Sequence, residues 1–265
     1  MYVIKEGIDL ISKRLIGIIP ARYESSRLPG KPLADICGKP MIWWVYNEAM
    51  KVEELQEIYV ATDDERICDT CKKYNMNYIM TNIEHRNGTE RAIEVAKKIY
   101  ADYYVVIMGD EPLLQKKDIK EMIQETEKYK EYDAFMLGTK FTNPVDVVND
   151  STIKLAINES QRLIFMSRAE IPYPKEKLNF DYYKNIGLYI FSREALEFYD
   201  KTPIGKIESI EGIEMLRLLE NGKNVRVVLT ESQVLSVDTP KDLIRINEIM
   251  EKRIKNDIYI NEKEK

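Results

Sequence analysis

Three cations lie close together in a loop that follows the first apolar stretch of the chain. Residues 15–19 are apolar and rich in isoleucine, which predicts a buried strand, and the prolines and glycine between positions 20 and 32 exclude regular structure after it. The loop carries Arg22, Arg27 and Lys31, interleaved with serines and with Gly30, so an anion can approach its backbone N–H groups. Like charges in one loop repel unless an anion compensates them. The loop therefore predicts a polyphosphate site, with an ordinary solvated surface loop as the alternative.

Two familiar nucleotide-binding motifs do not occur here. Gly30-Lys31 is followed by Pro32, where a Walker loop requires serine or threonine, and no Gly-x-Gly-x-x-Gly follows the first predicted strand. The sequence thus argues against a P-loop ATPase and against a Rossmann dehydrogenase.

Two aspartates come directly after predicted strands. Tyr103 to Met108 is a β-prone run that ends in Gly-Asp110-Glu-Pro, and residues 234–237 lead into Asp238-Thr-Pro. In open α/β sheets the ligand crevice lies outside the carboxyl ends of the strands, so Asp110 should face the same space as the cationic loop. Mg²⁺ is typically held by one or two carboxylates together with substrate phosphates. The pair therefore predicts a magnesium site, and helix capping is the alternative.

A second candidate site is the entry of the helix predicted from residue 87 to Tyr100. Free N–H groups at a helix N-terminus can bind anions, so Gly88 and Thr89 could contact a base or a phosphate, with Arg91 directing a cation the same way. Simple capping of the helix explains the same residues equally well.

Composition narrows the class of protein. The chain has 265 residues, 44% of them hydrophobic, and a net charge of -5. This describes a globular chain of one large domain or a domain with a subdomain, and the acidic balance argues against nucleic acid as a partner. No membrane span is present, and the first thirteen residues lack the apolar core of a secretory signal, so a cytoplasmic location is predicted. The three cysteines are an odd count, which argues against a disulfide framework.

Predicted strands and helices alternate along the chain, which indicates an α/β sheet covered by helices. Residues 149–191 differ in texture and are predicted to form an antiparallel insertion whose exposed apolar side chains make a dimer surface. Glu208, Glu211 and Glu214 recur every three residues, as on a solvated helix face. The charged tail from residue 251 to 265 is predicted to fray.

Motifs spread over about residues 15 to 250 resemble the CMP-sugar-acid synthetases, and within them most closely those acting on 3-deoxy-manno-octulosonate (KDO). The matching segments are Ile19-Pro-Ala-Arg-Tyr-x-Ser-x-Arg-Leu-Pro-Gly-Lys-Pro-Leu33, Ala61-Thr-Asp, Gly88-Thr-Glu-Arg91, Gly109-Asp-Glu-Pro112, Ser167-Arg-Ala, Ile186-Gly, Glu208-x-x-Glu211 and Val237-Asp-Thr-Pro240. The resemblance implies a Rossmann-like nucleotidyltransferase fold, mostly parallel but mixed, with a small antiparallel dimerisation subdomain. It also implies a homodimer that transfers CMP from CTP to a sugar acid, with magnesium as cofactor and release of pyrophosphate. Residues 1–14 look like an added extension.

The resemblance also implies roles for individual residues. It assigns catalysis to Lys31, Arg27 and Asp110, and magnesium binding to Asp110 and Asp238. Nucleotide binding falls on Ala21, Arg22, Ser26, Arg27, Lys31, Gly88, Thr89, Arg91 and Asp110. Acceptor binding falls on Met108, Arg168, Asn185, Tyr189 and Glu211.

Differences from the family pattern occur mainly at residues that the resemblance assigns to acceptor binding. Met108 stands where the family usually has glutamine, Asn185 where it has histidine, and Asn87 where it has serine. A thioether cannot replace an amide that hydrogen-bonds a sugar hydroxyl. The acceptor is therefore either KDO or a different acidic or phosphorylated molecule used in surface-polysaccharide synthesis. A glycosyltransferase would show an Asp-x-Asp motif after a strand, which is missing, and a silent nucleotide-binding module would lack Asp110 or Asp238.

Overall fold

The structure is a computed structural model that describes residues 13–25, 27–176, 181–232 and 234–263, with side chains up to residue 256. Residues 1–12 of the predicted extension, Ser26 of the predicted nucleotide site and the last two residues of the predicted tail lie outside the described residues.

Strands and helices alternate, as the apolar pattern predicts. The strands are Leu15–Ala21 (β1), Asp35–Ile36 (β2), Lys39–Pro40 (β3), Glu57–Thr62 (β4), Tyr78–Met80 (β5), Tyr103–Ile107 (β6), Ala134–Lys140 (β7), Lys154–Ile157 (β8), Leu163–Ser167 (β9), Tyr183–Ser192 (β10) and Val225–Thr230 (β11). The α-helices are Met41–Met50 (α1), Glu65–Lys73 (α2), Gly88–Lys98 (α3), Lys116–Lys128 (α4), Arg193–Lys201 (α5), Lys206–Glu211 (α6), Leu216–Glu220 (α7) and Pro240–Lys263 (α8). Short 3-10 helices cover Lys31–Leu33 and Pro144–Val148.

The main sheet has the strand order β11-β7-β10-β6-β1-β4-β5. β1 pairs in parallel with β4 and with β6, β4 with β5, and β7 with β11, whereas β10 is antiparallel to both β6 and β7. The sheet is thus mixed and mainly parallel, which confirms the predicted fold class.

Helices cover both faces of this sheet, and β1 shows why its sequence is apolar throughout. Ile16 and Ile18 belong to a buried cluster that includes residues of α3 and α5, whereas Leu15 and Ile19 belong to a cluster with residues of α1 and α4. A strand buried on both faces cannot alternate apolar with polar residues, so it reads as one continuous apolar run. In the described part of the chain no helix combines the length and apolarity needed to cross a membrane.

The segment predicted as an antiparallel insertion is only partly separate from the main sheet. β8 and β9 form an antiparallel pair that branches from the start of β10, at Tyr183 and Lys184. β10 itself runs through the middle of the main sheet between β6 and β7. The reason is its apolar sequence, because Ile186 and Leu188 are buried in one core cluster while Phe191 is buried in the other. The separate unit therefore ends before most of β10.

The C-terminal segment from residue 251, predicted to fray, continues α8 as far as Lys263. Earlier turns of α8 anchor it, because Ile246 and Met250 are buried against Ile36 and Met41. The three cysteines are free thiols, and burial raises the pKa of Cys71 to about 12, which disfavours its thiolate.

The row of glutamates does not form one solvated helix face. α6 ends at Glu211, and Gly212 then adopts a left-handed conformation with φ of 63°, which turns the chain. Glu208 is 6% exposed and accepts two hydrogen bonds from Arg217, at 2.6 and 2.7 Å. The prediction of a solvated face is therefore wrong, because spacing along the sequence reports a shared face only while the helix continues.

The Glu208–Arg217 pair generates a stability prediction. Arg217 is 4% exposed, and its guanidinium also lies 3.8 Å from the Tyr199 ring centroid. Glu208→Ala should lower the free energy of unfolding by about 3–5 kcal/mol, because the change leaves a buried cation without its partner. Urea denaturation measures this, with Glu121→Ala on the exposed side of α4 as the control. A loss below about 1 kcal/mol, typical of exposed ion pairs, would contradict it.

Candidate active site

A cavity of about 420 Å³ lies at the carboxyl ends of β1 and β6. Its walls come from the loop after β1, the turn after β6, the start of β10, and the segments around residues 213 and 237. The predicted site residues that line it are Ala21, Arg22, Arg27, Lys31, Thr89, Met108, Asp110, Arg168, Asn185, Tyr189 and Asp238. Gly88 and Arg91 line an adjoining cavity that shares Arg22 and Met108. The structure thus brings most of the predicted residues into one space.

The cationic loop is held by its own backbone. Gly30 has a φ of 68°, and its N–H donates to the carbonyl of Tyr23 at 2.9 Å. A Cβ at position 30 would lie 3.1 Å from the Tyr23 ring, so both the backbone angle and the close approach require glycine. The guanidinium of Arg66 covers the Tyr23 ring at 3.2 Å from its centroid. Tyr23 and Arg66 are supports that the sequence did not suggest.

The loop cations meet the two aspartates. Lys31 Nζ lies 2.6 Å from Asp110 Oδ2 and 3.4 Å from Asp238 Oδ1, and Arg27 Nη2 lies 2.9 Å from the same Asp238 oxygen. The side chains of Lys31 and Asp110 are 16% and 23% exposed, so this pair is partly shielded from water. The two groups of residues predicted separately, cations and carboxylates, form one cluster.

Other residues provide the helix caps that were the alternative explanation for these aspartates. α4 begins at Lys116, and the side chain of Asp118 caps it by accepting the backbone N–H of Gln115 at 3.1 Å. At the start of α8, Asp242 accepts the N–H of Thr239 at 2.8 Å, and the Thr239 hydroxyl accepts the N–H of Asp242. The described hydrogen bonds of the Asp110 and Asp238 carboxylates go to the loop cations instead.

The carboxylates of Asp110 and Asp238 offer a metal ion hard oxygen ligands. Within the described residues, no group of three or more histidine, cysteine or carboxylate side chains could hold a metal on its own. Two carboxylates fit Mg²⁺, which retains water and takes its remaining ligands from substrate phosphates.

The entry of α3 is less open than its sequence suggests. Asn87 caps the helix by accepting the N–H of Glu90 at 2.9 Å. The carboxylate of Glu214 accepts the Thr89 N–H at 3.1 Å and the Thr89 hydroxyl at 2.5 Å. Arg91 is 2% exposed and pairs with Asp63. An internal carboxylate thus occupies the Thr89 N–H that was predicted to bind a base or a phosphate.

Among the residues predicted to bind the acceptor, Glu211 positions Arg168. The Glu211 side chain accepts the backbone N–H of Arg168 at 3.0 Å, and its carbonyl accepts the Arg168 Nε–H at 2.9 Å. Buried Lys154 fixes the same region, because its ammonium donates to the carbonyls of Asn149, Thr152 and Arg168. Glu211 therefore acts behind Arg168, and Lys154 is a support that no motif revealed.

Asn185 and Met108 also line the cavity. Asn185 Nδ2 donates to the Tyr189 hydroxyl at 2.6 Å, while its Oδ1 is buried and accepts no hydrogen bond from the described residues. A Cβ at Gly187 would lie 2.7 Å from Met108 Cβ, so only glycine lets β10 come this close to the turn after β6.

Glu111, next to Asp110, is the most deeply placed carboxyl of the cavity. Its Oε1 accepts the Gly187 N–H at 3.0 Å and the Ser236 hydroxyl at 2.6 Å, and its Oε2 is buried without a described partner. Burial, followed by the charge of Asp110, raises the pKa of Glu111 to about 7. In the sequence this residue stands out only as part of the Gly-Asp-Glu-Pro motif, although its carboxylate joins the turn after β6 to β10 and to the segment around residue 237.

Comparison with known proteins decides the family. Residues 16–225 match the family described as cytidylyltransferase. The chain belongs to the cytidylyltransferases. A 3-deoxy-manno-octulosonate cytidylyltransferase of Escherichia coli is 37% identical over 242 residues, which are 91% of this chain and 97% of that one. One of Fusobacterium nucleatum subsp. nucleatum is 39% identical, with 91% and 99% covered.

Two further similarities extend this result. An 8-amino-3,8-dideoxy-manno-octulosonate cytidylyltransferase of Shewanella halifaxensis is 35% identical over 85% of this chain and 94% of its own. A solved structure of CMP:2-keto-3-deoxy-manno-octonic acid synthetase complexed with CTP has a TM-score of 0.86 and 36% identity, covering 91% of this chain and 99% of that one. The cytidylyltransferase described here is a CTP-dependent nucleotidyltransferase, as its motifs predict.

The partly buried Glu214 generates a pH prediction. Burial raises the pKa of this carboxyl, so the folded protein keeps its proton at a higher pH than the unfolded chain does. The contribution of Glu214 to the stability of the wild type should therefore be constant below pH 4.5 and fall as pH rises from there through the raised pKa.

Glu214→Gln has no proton to lose, so its free energy of unfolding relative to the wild type should increase over the same pH interval. Urea denaturation at a series of pH values tests this, with the exposed Glu127→Gln as the control. Parallel curves for the wild type and Glu214→Gln would refute it.

Proposed function

We propose that this cytidylyltransferase joins CMP to a sugar acid of the 3-deoxy-manno-octulosonate type. The observation that carries the proposal is the single cavity in which three loop cations and two carboxylates face Arg168, Asn185 and Tyr189. Cations and carboxylates suit a triphosphate with its metal, and the facing residues suit a polar acid. The names of the relatives supply the acceptor type.

In the reaction, a hydroxyl oxygen of the acceptor attacks the α-phosphorus of CTP in line with the leaving group. A new O–P bond forms, the bond between the α-phosphorus and the bridging oxygen breaks, and pyrophosphate leaves with the electron pair of that bond. The hydroxyl proton passes to water. Such a transfer depends on positioning and charge neutralisation, which Arg22, Arg27 and Lys31 provide for the phosphates.

Mg²⁺ is the cofactor of the proposal, with Asp110 and Asp238 as its protein ligands. The ion would neutralise charge that develops on the triphosphate. The chemistry of the two carboxylates and their position beside the cationic loop support this assignment of the metal ligands. The residues of the chain orient the nucleotide, exclude water and present the acceptor.

The identity of the acceptor has two candidates. KDO agrees with the names of several relatives, whereas an acidic molecule with a different substituent agrees with Met108 and with the unpartnered Oδ1 of Asn185. A hydrogen-bond donor on the acceptor would satisfy that oxygen. The 8-amino sugar acid named for the Shewanella relative carries such a donor and belongs in the test.

The enzyme works as a cytoplasmic homodimer in this proposal. Exposed apolar side chains on the separate antiparallel unit and nearby segments support an interface, among them Ile164 at 61% and Ile210 at 84% exposure. Light scattering during size-exclusion chromatography tests the dimer, and a monomer at assay concentration would refute it.

The central experiment measures pyrophosphate release from CTP and Mg²⁺ with a panel of acidic acceptors. CTP should support turnover and raise the melting temperature in Mg²⁺ more than ATP, GTP or UTP, because only a bound ligand stabilises the folded state. Equal thermal shifts with all four nucleotides would refute CTP selectivity. Turnover with a phosphorylated acceptor alone would move the protein to the second candidate class.

A mutational prediction isolates the metal ligands. Asp110→Asn and Asp238→Asn keep the shape of the side chain but remove the charge that attracts a hard cation. Each should lower turnover by at least about tenfold at sub-millimolar Mg²⁺, while the melting temperature changes little and excess Mg²⁺ restores activity in part. Steady-state kinetics over a Mg²⁺ series tests this, and normal turnover at low Mg²⁺ would remove both residues from the metal site.

A further inference from the structure

The groups proposed to bind phosphate and the groups proposed to bind Mg²⁺ are paired with each other. Lys31 contacts both Asp110 and Asp238, and Arg27 contacts Asp238. Two positive charges therefore face two negative charges. A carboxylate that already accepts hydrogen bonds from cations presents less negative charge to a divalent ion, because opposite charges at this separation offset each other's field.

We propose that Lys31 and Arg27 compete with the divalent cation for the oxygens of Asp110 and Asp238, and that CTP ends this competition by drawing both side chains to its phosphates. The inference rests on the proposed function, which places the triphosphate and Mg²⁺ in this cavity. It adds that the two ligands help each other through an exchange of partners within the protein.

The exchange needs movement of side chains and not of the loop. Backbone hydrogen bonds hold the loop around Lys31, with the N–H of Leu33 donating to Gly30 at 2.8 Å and that of Ala34 to Lys31 at 3.1 Å. The lysine side chain has a flexible four-carbon stem, so its ammonium can turn from a carboxylate to a phosphate in the same cavity. A fixed backbone with mobile charged ends suits such an exchange.

Lys31 should compete more strongly than Arg27. The Lys31 side chain is 16% exposed and approaches both carboxylates, whereas the Arg27 side chain is 52% exposed and approaches one. Ion pairs in contact with solvent are weakened by water and salt, and shielded pairs are weakened less. Removing the Lys31 charge should therefore free the carboxylates most.

Arg22 offers a matched control within the same loop. It lines the same cavity and carries the same charge, but the described ion pairs of Asp110 and Asp238 do not include it. Loss of this charge should weaken phosphate binding without releasing a carboxylate. A comparison between a variant without the Lys31 charge and one without the Arg22 charge therefore separates competition at the carboxylates from a general change in cavity charge.

The experiment measures Mn²⁺ binding to the full chain without nucleotide, by electron paramagnetic resonance of the free ion, in the wild type, Lys31→Met and Arg22→Met. Lys31→Met should bind Mn²⁺ about tenfold more tightly than the wild type, which is an ordinary size for the coupling between two bound ligands. Its CTP affinity, measured by calorimetry, should fall. Arg22→Met should lose CTP affinity with Mn²⁺ affinity within about twofold of the wild type. Because coupling is reciprocal, CTP should also enhance Mn²⁺ binding less in Lys31→Met than in the wild type.

Several results would overturn the exchange. Unchanged or weaker Mn²⁺ binding in Lys31→Met would show that the ammonium does not compete, and equal gains in both variants would reduce the effect to cavity charge. Arg27→Met, altered at a half-exposed side chain, provides a second measurement if Lys31→Met does not fold. Tighter Mn²⁺ binding in Arg27→Met than in the wild type supports the proposal, and no gain opposes it. Failure of the proposed function looks different, because the wild type would then release no pyrophosphate with any acceptor.

Discussion

The pairing of β6 with β1 on one side and with β10 on the other sets what meets at the edge of the sheet. β1 runs parallel to β6, so the loop that follows β1 leaves beside the turn that follows β6. β10 is antiparallel to β6, with Leu188 opposite Ile107, so its first residues arrive at this same edge. The residues proposed to bind the nucleotide therefore lie mainly on one flank of β6, and those proposed to bind the acceptor lie mainly on the other. The directions of these three strands therefore decide which loops meet at the cavity.

The turn after β6 converts this arrangement into fixed distances. The backbone N–H of Met108 donates to the Gly187 carbonyl at 2.7 Å, and the Asp110 carbonyl accepts the Val237 N–H at 2.9 Å. Glu111 adds its bonds to Gly187 and Ser236. These contacts join three segments that are far apart in sequence. The two aspartates both reach Lys31 because the Asp110 carbonyl is bonded to the N–H of Val237, the residue before Asp238.

Local signals in the sequence were sufficient for much of this protein. The apolar runs predicted as strands at residues 15–19 and 103–108 are β1 and β6, and the cationic loop and Asp110 lie in one cavity as expected from the strand-end rule. Asp238 lines the same cavity, but the strand predicted at residues 234–237 is not formed, so that prediction is wrong and the rule does not explain the position of Asp238. What escaped prediction depends on distant partners. Glu111 and Glu214 accept hydrogen bonds from residues more than seventy positions away, and buried Lys154 is satisfied by three backbone carbonyls, which no sequence pattern reports. The three-residue spacing also misled at Glu214, because the left-handed Gly212 ends the helix before this residue.

The contact between Glu214 and Thr89 spans 125 positions of the chain, and it has a consequence for how the protein comes into being. Synthesis runs from the N-terminus, so the residues of β1, the cationic loop and α3 are made well before Glu214, and Asp238 is made later still. Until then, the Thr89 N–H and the loop cations lack the partners that they have in the folded protein. The site is therefore completed only late in the synthesis of each chain.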